Sequence, residues 1–417
     1  MSRVINTANP GKERGQLRRT CAEVLRHLMF KRTLDDETKD MAAVLVYALE
    51  GIAETVDVTV EAWEKRDYFI KADRFRLEWE WVRPTARRLR ELILAKPTAL
   101  VSEIMQREVI SAEELGGPEA QMNYSGVVHF VANDDEDAVN ICKRLLSFLP
   151  SNNTEDPPRL AWSEPLDAVP ELNSIIPDDP KRPYDMHDVI TRIVDQGDFL
   201  EVHAEFAKNL IVGFGRVSGR TVGIIANQPA VLAGVLDIDS SDKASRFVRF
   251  CNAFNIPLVT LIDVPGFLPG VQQEYEGIIR HGAKMLFSYS AATVPKVSVI
   301  LRKAYGGAYL AMCGKDLAAD RVAAWPSAEV AVMGAEGAVG VVFRKEIEQA
   351  ADREAKRREL IELYRRTFST PYVAAARGLV DDIIEPAETR RYVAMALESV
   401  ATKRDTRPSK KHGLIPL

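Results

Sequence analysis

The chain has 417 residues, 46% of them hydrophobic and 28% charged, with a formal charge of -5 and a pI near 5.9. This length suits roughly two to three globular domains. The acidic balance supplies no basic surface for phosphate-dominated binding, so a nucleic-acid partner is not expected. Cys21, Cys142, Cys251 and Cys313 are scattered, without a CxxC pair or a histidine at ligand spacing. Neither a metal site nor a disulfide framework is expected from them, and a reducing cytoplasm fits. The opening residues lack the apolar core of a signal peptide, and apolar runs such as Val294–Leu301 are too short to span a bilayer, so membrane insertion is not expected.

The first hundred residues carry helical periodicity. Leu17, Cys21, Val24, Leu25 and Leu28 fall on one helical face, and Met41, Leu45, Leu49, Ile52 and Val56 form a second stripe after Asp35-Asp36-Glu37. Tyr68, Ala72, Phe75 and Trp79 form a third, and Pro84 starts a fourth helix. These stripes read as packing surfaces, and residues 1–104 as an α-helical module of unknown role. Ala112–Gly117 reads as a helix end with a glycine stop, Ser125–Phe130 as a short strand and Asp134–Phe148 as a helix. Eight of the 22 prolines lie between Pro150 and Pro183, where regular elements cannot persist. Residues 151–183 are therefore expected to be an extended linker.

Beyond it, strand and helix patterns alternate. Tyr184–Val194 is predicted as a helix, Leu210–Val217 and Thr221–Ala226 as a hairpin around Ser218-Gly219, and Asp239–Phe254 as a helix capped by Asp239 or Ser240. Then come a buried strand over Leu258–Val264, a helix over Tyr275–Tyr289, a strand over Lys296–Arg302, a short helix after Gly306-Gly307 and a strand over Glu329–Met333. From Arg344 the tail is mostly charged helix. The alternation predicts a layered α/β domain.

No nucleophile elbow, HExxH or phosphate loop is present. Gly213, Gly215 and Gly219 have the wrong spacing for a dinucleotide fingerprint and lie in the predicted hairpin. His281 beside Arg280 reads as a structural histidine. Asp263 ends an apolar strand, as an active-site residue or as a turn-stabilising carboxylate. At Gly306-Gly307-Ala308 a strand runs into a helix with no side-chain bulk, so a ligand can approach unpaired main-chain N–H groups that suit a developing oxyanion. A tight strand–helix turn explains the same residues equally well. Gly334 and Ala335 follow another strand, and Pro265, Gly266 and Phe267 form a stiff loop after Asp263. Three loops shaped by backbone, with no side-chain nucleophile, favour chemistry through enolate-type intermediates.

FVRFCNAFNIPLVTLIDVPGFLPG (247–270), QEYEGIIRHGAKMLFSYSAATVPK (273–296), LRKAYGGAYLAM (301–312) and AWPSAEVAVMGAEGA (324–338) resemble the carboxyltransferase subunit of biotin-dependent acyl-CoA carboxylases. Propionyl-CoA carboxylase β chains, the methylmalonyl-CoA carboxyltransferase central subunit and the methylmalonyl-CoA decarboxylase α subunit share the pattern, and the likeness runs from about Arg107 to Leu417. It implies a crotonase-like α/β fold over residues 184–417, with residues 105–150 as the last part of a further carboxyltransferase domain. It further implies that the amides of Gly307 and Ala308 form an oxyanion hole for the ureido oxygen of biotin. Gly306, Leu310, Pro265, Gly266, Phe267, Gly334 and Ala335 would then line the substrate pocket. Carboxybiotin, on a separate carrier protein, would release CO2 that a short-chain acyl-CoA (propionyl- or acetyl-CoA) takes up as its enolate. No metal enters this scheme.

Biotin carboxylase and biotin carrier protein are implied as partners, because this chain has neither a biotinyl-lysine MKM motif nor an ATP-binding region of that kind. A homo-oligomer, at least a dimer, is implied because family sites form between one subunit's N-domain and its partner's C-domain. Leu310 occupies a position that is usually Asp in propionyl-CoA carboxylases, and Leu is more like the transcarboxylase and decarboxylase branch. Residues 1–104 carry none of the family's CoA-domain pattern. The expected function is thus the carboxyltransferase component. A docking subunit without catalysis, and a decarboxylase or transcarboxylase subunit, are the alternatives, along with a crotonase-class enzyme that acts on acyl-CoA without biotin.

Overall fold

The computed structural model describes residues 10–29, 31, 36–66, 68–94, 116–163, 165–177, 179–180, 182–408 and 413–416, and the chain divides into two compact units, residues 1–111 and 112–417. The first unit is helical in its described residues. Helices α1 (Pro10–Leu28), α2 (Asp36–Glu64), α3 (Phe69–Glu78) and α4 (Val82–Leu94) follow the apolar stripes of the sequence, with Pro84 in the first turn of α4. Val24, Leu45, Leu49, Ile52, Val56, Ala72 and Val82 form its core, and Gly51 lets Leu17 of α1 close onto α2. The predicted helix end over Ala112–Gly117 falls largely outside the described residues.

The second unit begins with α5 (Pro118–Asn123) and α6 (Asp135–Leu146), which is capped by the Asp134 carboxylate accepting from Asp137 N at 2.8 Å. After α7 (His187–Ile193) come β1 (Leu200–Val202), β2 (Leu210–Val217), β3 (Arg220–Asn227), α8 (Ile238–Ala253), β4 (Leu258–Val264), α9 (Val271–Glu276), α10 (Ile278–Ala291) and β5 (Lys296–Tyr305). Then follow α11 (Gly306–Ala311), β6 (Arg321–Ala324), β7 (Glu329–Ala331), α12 (Ala335–Val342), α13 (Arg344–Gln349), α14 (Arg353–Tyr364), α15 (Pro371–Ala376), β8 (Asp382–Ile383) and α16 (Thr389–Ser399). Among the described residues, eight strands form one sheet in the order β1-β2-β3-β4-β5-β6-β8, and β7 pairs with the end of β5. β1, β2 and β3 are antiparallel; from β3 onward the pairs are parallel.

β4 explains why its sequence is an almost unbroken apolar run. Leu258, Ile262 and Val264 pack on one face with Phe247, Val248, Met285 and Tyr289 of α8 and α10. Val259 and Leu261 pack on the other with Val189, Ile190 and Ile193 of α7 and with Val393 and Leu397 of α16. A parallel sheet covered on both faces requires this pattern. Lys243 is buried in the first layer, where its ammonium donates to the carbonyls of His203, Phe206 and Leu210 at 2.6–2.9 Å. Burial lowers its pKa to about 8.

Several expectations need correction. Ser125–Phe130 forms no ladder strand; backbone bonds from Ser125 N and Val128 N to α5 and from His203 N to the His129 carbonyl tie it to the unit. The cap of α8 is Asp237 rather than Asp239 or Ser240, in a capping box with Ser240. The helix expected over Tyr275–Tyr289 is two helices, broken at Gly277 with φ 95°. The proline-dense stretch is a packed strap within the second unit and does not join separate bodies. Leu160 N donates to the Gly219 carbonyl at 2.8 Å, and Leu172 is fully buried. The hairpin turn at Ser218 and Gly219 has positive φ at both residues, as a type I′ turn requires, and the Asp195 carboxylate accepts from both amides.

His187 fastens α7 to β1. Its Nε2 lies 2.8 Å from Glu201 Oε2 and its Nδ1 lies 2.7 Å from Asp185 Oδ1. The bond to Glu201 is the main cause of a pKa raised from 6.5 to about 9; burial opposes it and Asp185 adds to it. A folded-state pKa above the unfolded one gives stability that is complete below about pH 6.5 and fades as pH rises through 9. The difference in thermal midpoint between wild type and His187→Gln is therefore expected to be largest near pH 6 and to shrink by pH 9.5. A difference that stays constant across this range would contradict the charged clamp.

Candidate functional site at the carboxyl ends of three strands

β4, β5 and β7 are neighbours in the parallel part of the sheet, so the loops that leave their carboxyl ends converge. Val264 pairs with Ala304, and Lys303, Ala304 and Tyr305 pair with Glu329, Val330 and Ala331. The Pro265–Phe267 loop, the Gly306-Gly307 bend and the Gly334-Ala335 bend are thus set along one sheet edge, where open α/β sheets generally bind ligands.

The register of β4 against β5 slips at Asp263, between Ile262 and Val264. Asp263 is only 1% exposed; its Oδ1 accepts from Lys303 N at 3.0 Å and its Oδ2 from Arg302 Nε at 2.9 Å. Arg302 also donates to the Arg182 carbonyl at 2.9 Å and lies over the Tyr184 ring. Of the two readings of Asp263, the geometry supports the structural one: its carboxylate replaces ladder bonds lost at the bulge. His281 likewise sits in an ion-pair cluster with Asp242 and Lys284.

At the end of β5 the chain turns sharply. Gly306 has φ 57°, and a Cβ there would stand 2.8 Å from the carbonyl oxygen of Val332. Only glycine fits this left-handed bend at such close backbone contact. Gly307 differs: a Cβ there meets nothing within 4 Å, and the residue is exposed. The amides of Gly307 and Ala308 lie in the first turn of α11, where no carbonyl four residues back can accept from them. Among the described residues no carbonyl beyond the helix accepts from them either. The Ala308 side chain is buried beneath, and Leu310, one turn on, is 37% exposed.

The other predicted pocket residues are placed unevenly. Gly334 packs on the Tyr305 ring, with its Cβ position 3.2 Å from the ring edge, and Ala335 is fully buried, so it supports the bend and does not line it. Phe267 turns inward against Gly282 of α10, while the Gly266 carbonyl accepts from Leu236 N. Gly306, Gly307 and Leu310 remain as the surface of the bend. Cavities of about 570, 430 and 270 Å3 are present in this unit, and none is lined by these three residues. Gly307 and Leu310 put the bend at the surface of this unit.

The polar groups beside the bend carry no motif of their own in the sequence. The Tyr305 hydroxyl donates to Glu329 Oε2, and Arg365 donates to Glu336 Oε1 at 2.7 Å. Only their position beside the glycine segments could have drawn attention to them. No cluster of His, Cys, Asp and Glu suited to a metal ion occurs among the described residues, nor any helix long and apolar enough to cross a membrane.

The sequence profile of the carboxyl transferase domain matches residues 88–415, beginning within α4 and ahead of the expected start near Arg107. The methylmalonyl-CoA carboxyltransferase 12S subunit of Propionibacterium freudenreichii subsp. shermanii is 63% identical over 309 residues, which cover 74% of this chain and 59% of that subunit. The propionyl-CoA carboxylase carboxyltransferase subunit of Haloferax mediterranei is 54% identical over 311 residues, 74% of this chain and 60% of the relative. A crystal structure of the transcarboxylase 12S hexamer, with methylmalonyl-CoA and methylmalonic acid bound, superposes with a TM-score of 0.74 at 62% identity, over 76% of this chain and 61% of that one. The fold is crotonase-like, as expected. The chain spans about 60% of the length of these relatives.

The two glycines of the bend should respond oppositely to substitution. Gly306→Ala is expected to destabilise the second unit by about 1–3 kcal/mol, because it forces a left-handed φ onto alanine and a clash with Val332. Gly307→Ala should leave the urea midpoint almost unchanged. Equal midpoints for the two variants would show that the bend is not built as described.

Proposed function

This chain belongs to the carboxyl transferase domain family, and on that premise we propose that it carries the biotin-facing half of a carboxyltransferase site. The supporting observation is the exposed Gly307, whose amide has no backbone acceptor among the described residues and whose Cβ position is empty for 4 Å around. The residues present fit the ureido group of biotin: two adjacent N–H donors, no competing carbonyl and no side chain in the way. When bound on its carrier protein, carboxylated biotin supplies the carboxyl group and the base for the acyl α-proton.

On the biotin side of the site, the chain's own groups do the rest. The Gly307 and Ala308 amides donate to the ureido oxygen and stabilise negative charge that builds there. Losing one such donor typically costs about 2.7–4 kcal/mol of barrier, or a hundredfold to a thousandfold in rate. Preorganisation comes from the Gly306 bend, which fixes the direction of these N–H bonds before any ligand arrives. The exposed Leu310 side chain presents an apolar surface one helical turn away, suited to a short acyl group. Biotin carboxylase and the biotin carrier are the partners this reading requires, and the cytoplasm is the compartment it favours.

The shortfall in length relative to the family bears on the second substrate. About two fifths of each relative's length has no counterpart in the matched residues, and the glycine bend is exposed at Gly307 and Leu310. We place the acyl-CoA half of the site outside residues 116–417, in an assembly of at least two chains. Leu310, together with the 63% identity to a methylmalonyl-CoA carboxyltransferase, favours a second version of the reaction in which the carboxyl group comes from or returns to methylmalonyl-CoA.

Transfer of label from a 14C-carboxylated biotin carrier to propionyl-CoA, in an assembly containing this chain, tests the proposal. Gly307→Val puts a branched side chain into the empty space before the amide. It is expected to slow transfer at least a hundredfold while circular dichroism and assembly mass stay unchanged. Transfer at the wild-type rate would refute the oxyanion assignment. A carrier that binds the wild-type assembly and loses no label would instead favour a docking subunit.

A further inference from the structure

Two glycine bends, at residues 306–307 and 334, leave the ends of β5 and β7, strands that pair over only three residues. So short a pairing leaves both bends close to fraying, yet side chains hold them together. The Tyr305 hydroxyl donates to Glu329 Oε2 diagonally across the pair, two positions from its own register partner Ala331. The Arg365 guanidinium donates to Glu336 Oε1 at 2.7 Å, in the first turn of α12, and holds Glu329 Oε1 by charge at 3.4 Å. Its Nε has no acceptor of hydrogen-bond geometry. Arg365 begins a π-helical turn, Arg365–Ser369, that follows α14. One cation from the charged tail therefore neutralises two carboxylates, one beside each bend.

We infer that Arg365, acting through Glu329 with Tyr305 and through Glu336, is a positioning residue that locks the two glycine bends in one register and so aims the Gly307 amide. This rests on the carboxyltransferase reading above for its effect on rate, though not for its effect on structure. The phenol is suited to the part. Burial, and then the bond to Glu329, raise its pKa, so it remains a donor through the working pH range. The Lys303 ammonium also lies within electrostatic reach of both carboxylates, but among the described residues Arg365 is the cation paired with both, so its loss leaves two like charges with only the more distant Lys303 to offset them. Arg365 makes these contacts without lying at the glycine surface, so its loss should misalign the amides and leave ligand contacts in place. A misplacement of about 1 Å at a reacting centre can cost a hundredfold in rate.

Arg365→Ala, Arg365→Lys and Tyr305→Phe distinguish this role from simple structural support. Amide hydrogen exchange, read by mass spectrometry on the full chain, is expected to quicken at least tenfold in Arg365→Ala over residues 305–310 and 332–338. It should stay unchanged across β4, and Arg365→Lys should restore most of the protection. Tyr305→Phe should quicken only the first segment. In the label-transfer assay Arg365→Ala should lower kcat tenfold to a hundredfold, with KM for carrier and acyl-CoA within threefold of wild type, and Arg365→Lys should recover most of kcat. Unchanged exchange in both segments would overturn the clamp even where transfer is normal. A change confined to KM would overturn it as well, because Arg365 would then be touching substrate. If wild type transfers no label but exchange responds as stated, the clamp stands and the carboxyltransferase reading falls.

Discussion

Everything around the candidate site depends on the close approach of two backbones, Gly306 at the end of β5 and Val332 just past β7. A Cβ on Gly306 would lie 2.8 Å from the Val332 carbonyl oxygen, so this contact exists only because residue 306 has no side chain. It forces the chain into a left-handed bend, and that bend turns the next two amides out of the ladder. A strand that continued straight would have used those N–H groups in pairing. The site is thus made by ending a sheet abruptly, with main-chain donors left over.

A bend of this kind needs a stiff foundation, and the structure supplies it at Asp263. The β4–β5 register slips there, and a buried carboxylate takes up Lys303 N and the Arg302 guanidinium in place of regular ladder bonds. Removing either partner of such a buried pair leaves a charge without compensation, which is why these pairs act as rigid pins even when they add little net stability. Arg302 extends the pin to the strap through the Arg182 carbonyl and the Tyr184 ring. A proline-dense segment that looks like a spacer in sequence is in this way part of the scaffold behind the bend.

Much of this was legible beforehand where one local signal decides the outcome. β4 was placed residue for residue by its apolar run, and the turn at Ser218-Gly219 by its residue types, because burial on two faces and positive φ each leave a clear mark. The glycine bend was found for the same reason. What escaped notice depends on partners distant in sequence. β1, β6 and β8 have four residues or fewer and exist by pairing alone. Ser125–Phe130 has strand composition, but it meets the sheet only next to the three-residue edge strand β1, through the His203 N to His129 carbonyl bond, and forms no ladder. Ala335 and Phe267 are pocket residues by family resemblance, yet the Ala335 side chain is fully buried and Phe267 packs against Gly282. The Tyr305–Glu329 and Arg365–Glu336 contacts join residues 24 and 29 positions apart, beyond what a single sequence shows.

The central claim is that two backbone amides at the bend receive a ureido oxygen, and amide-resolved titration tests it most directly. Free biotin, added at millimolar concentration to the 15N-labelled full chain, should shift the Gly307 and Ala308 resonances downfield in a saturable manner. Asp263 and the β4 amides should hardly move. If Gly307 and Ala308 stay in place while residues around another cavity respond, the bend is a structural turn and the account given for it is wrong.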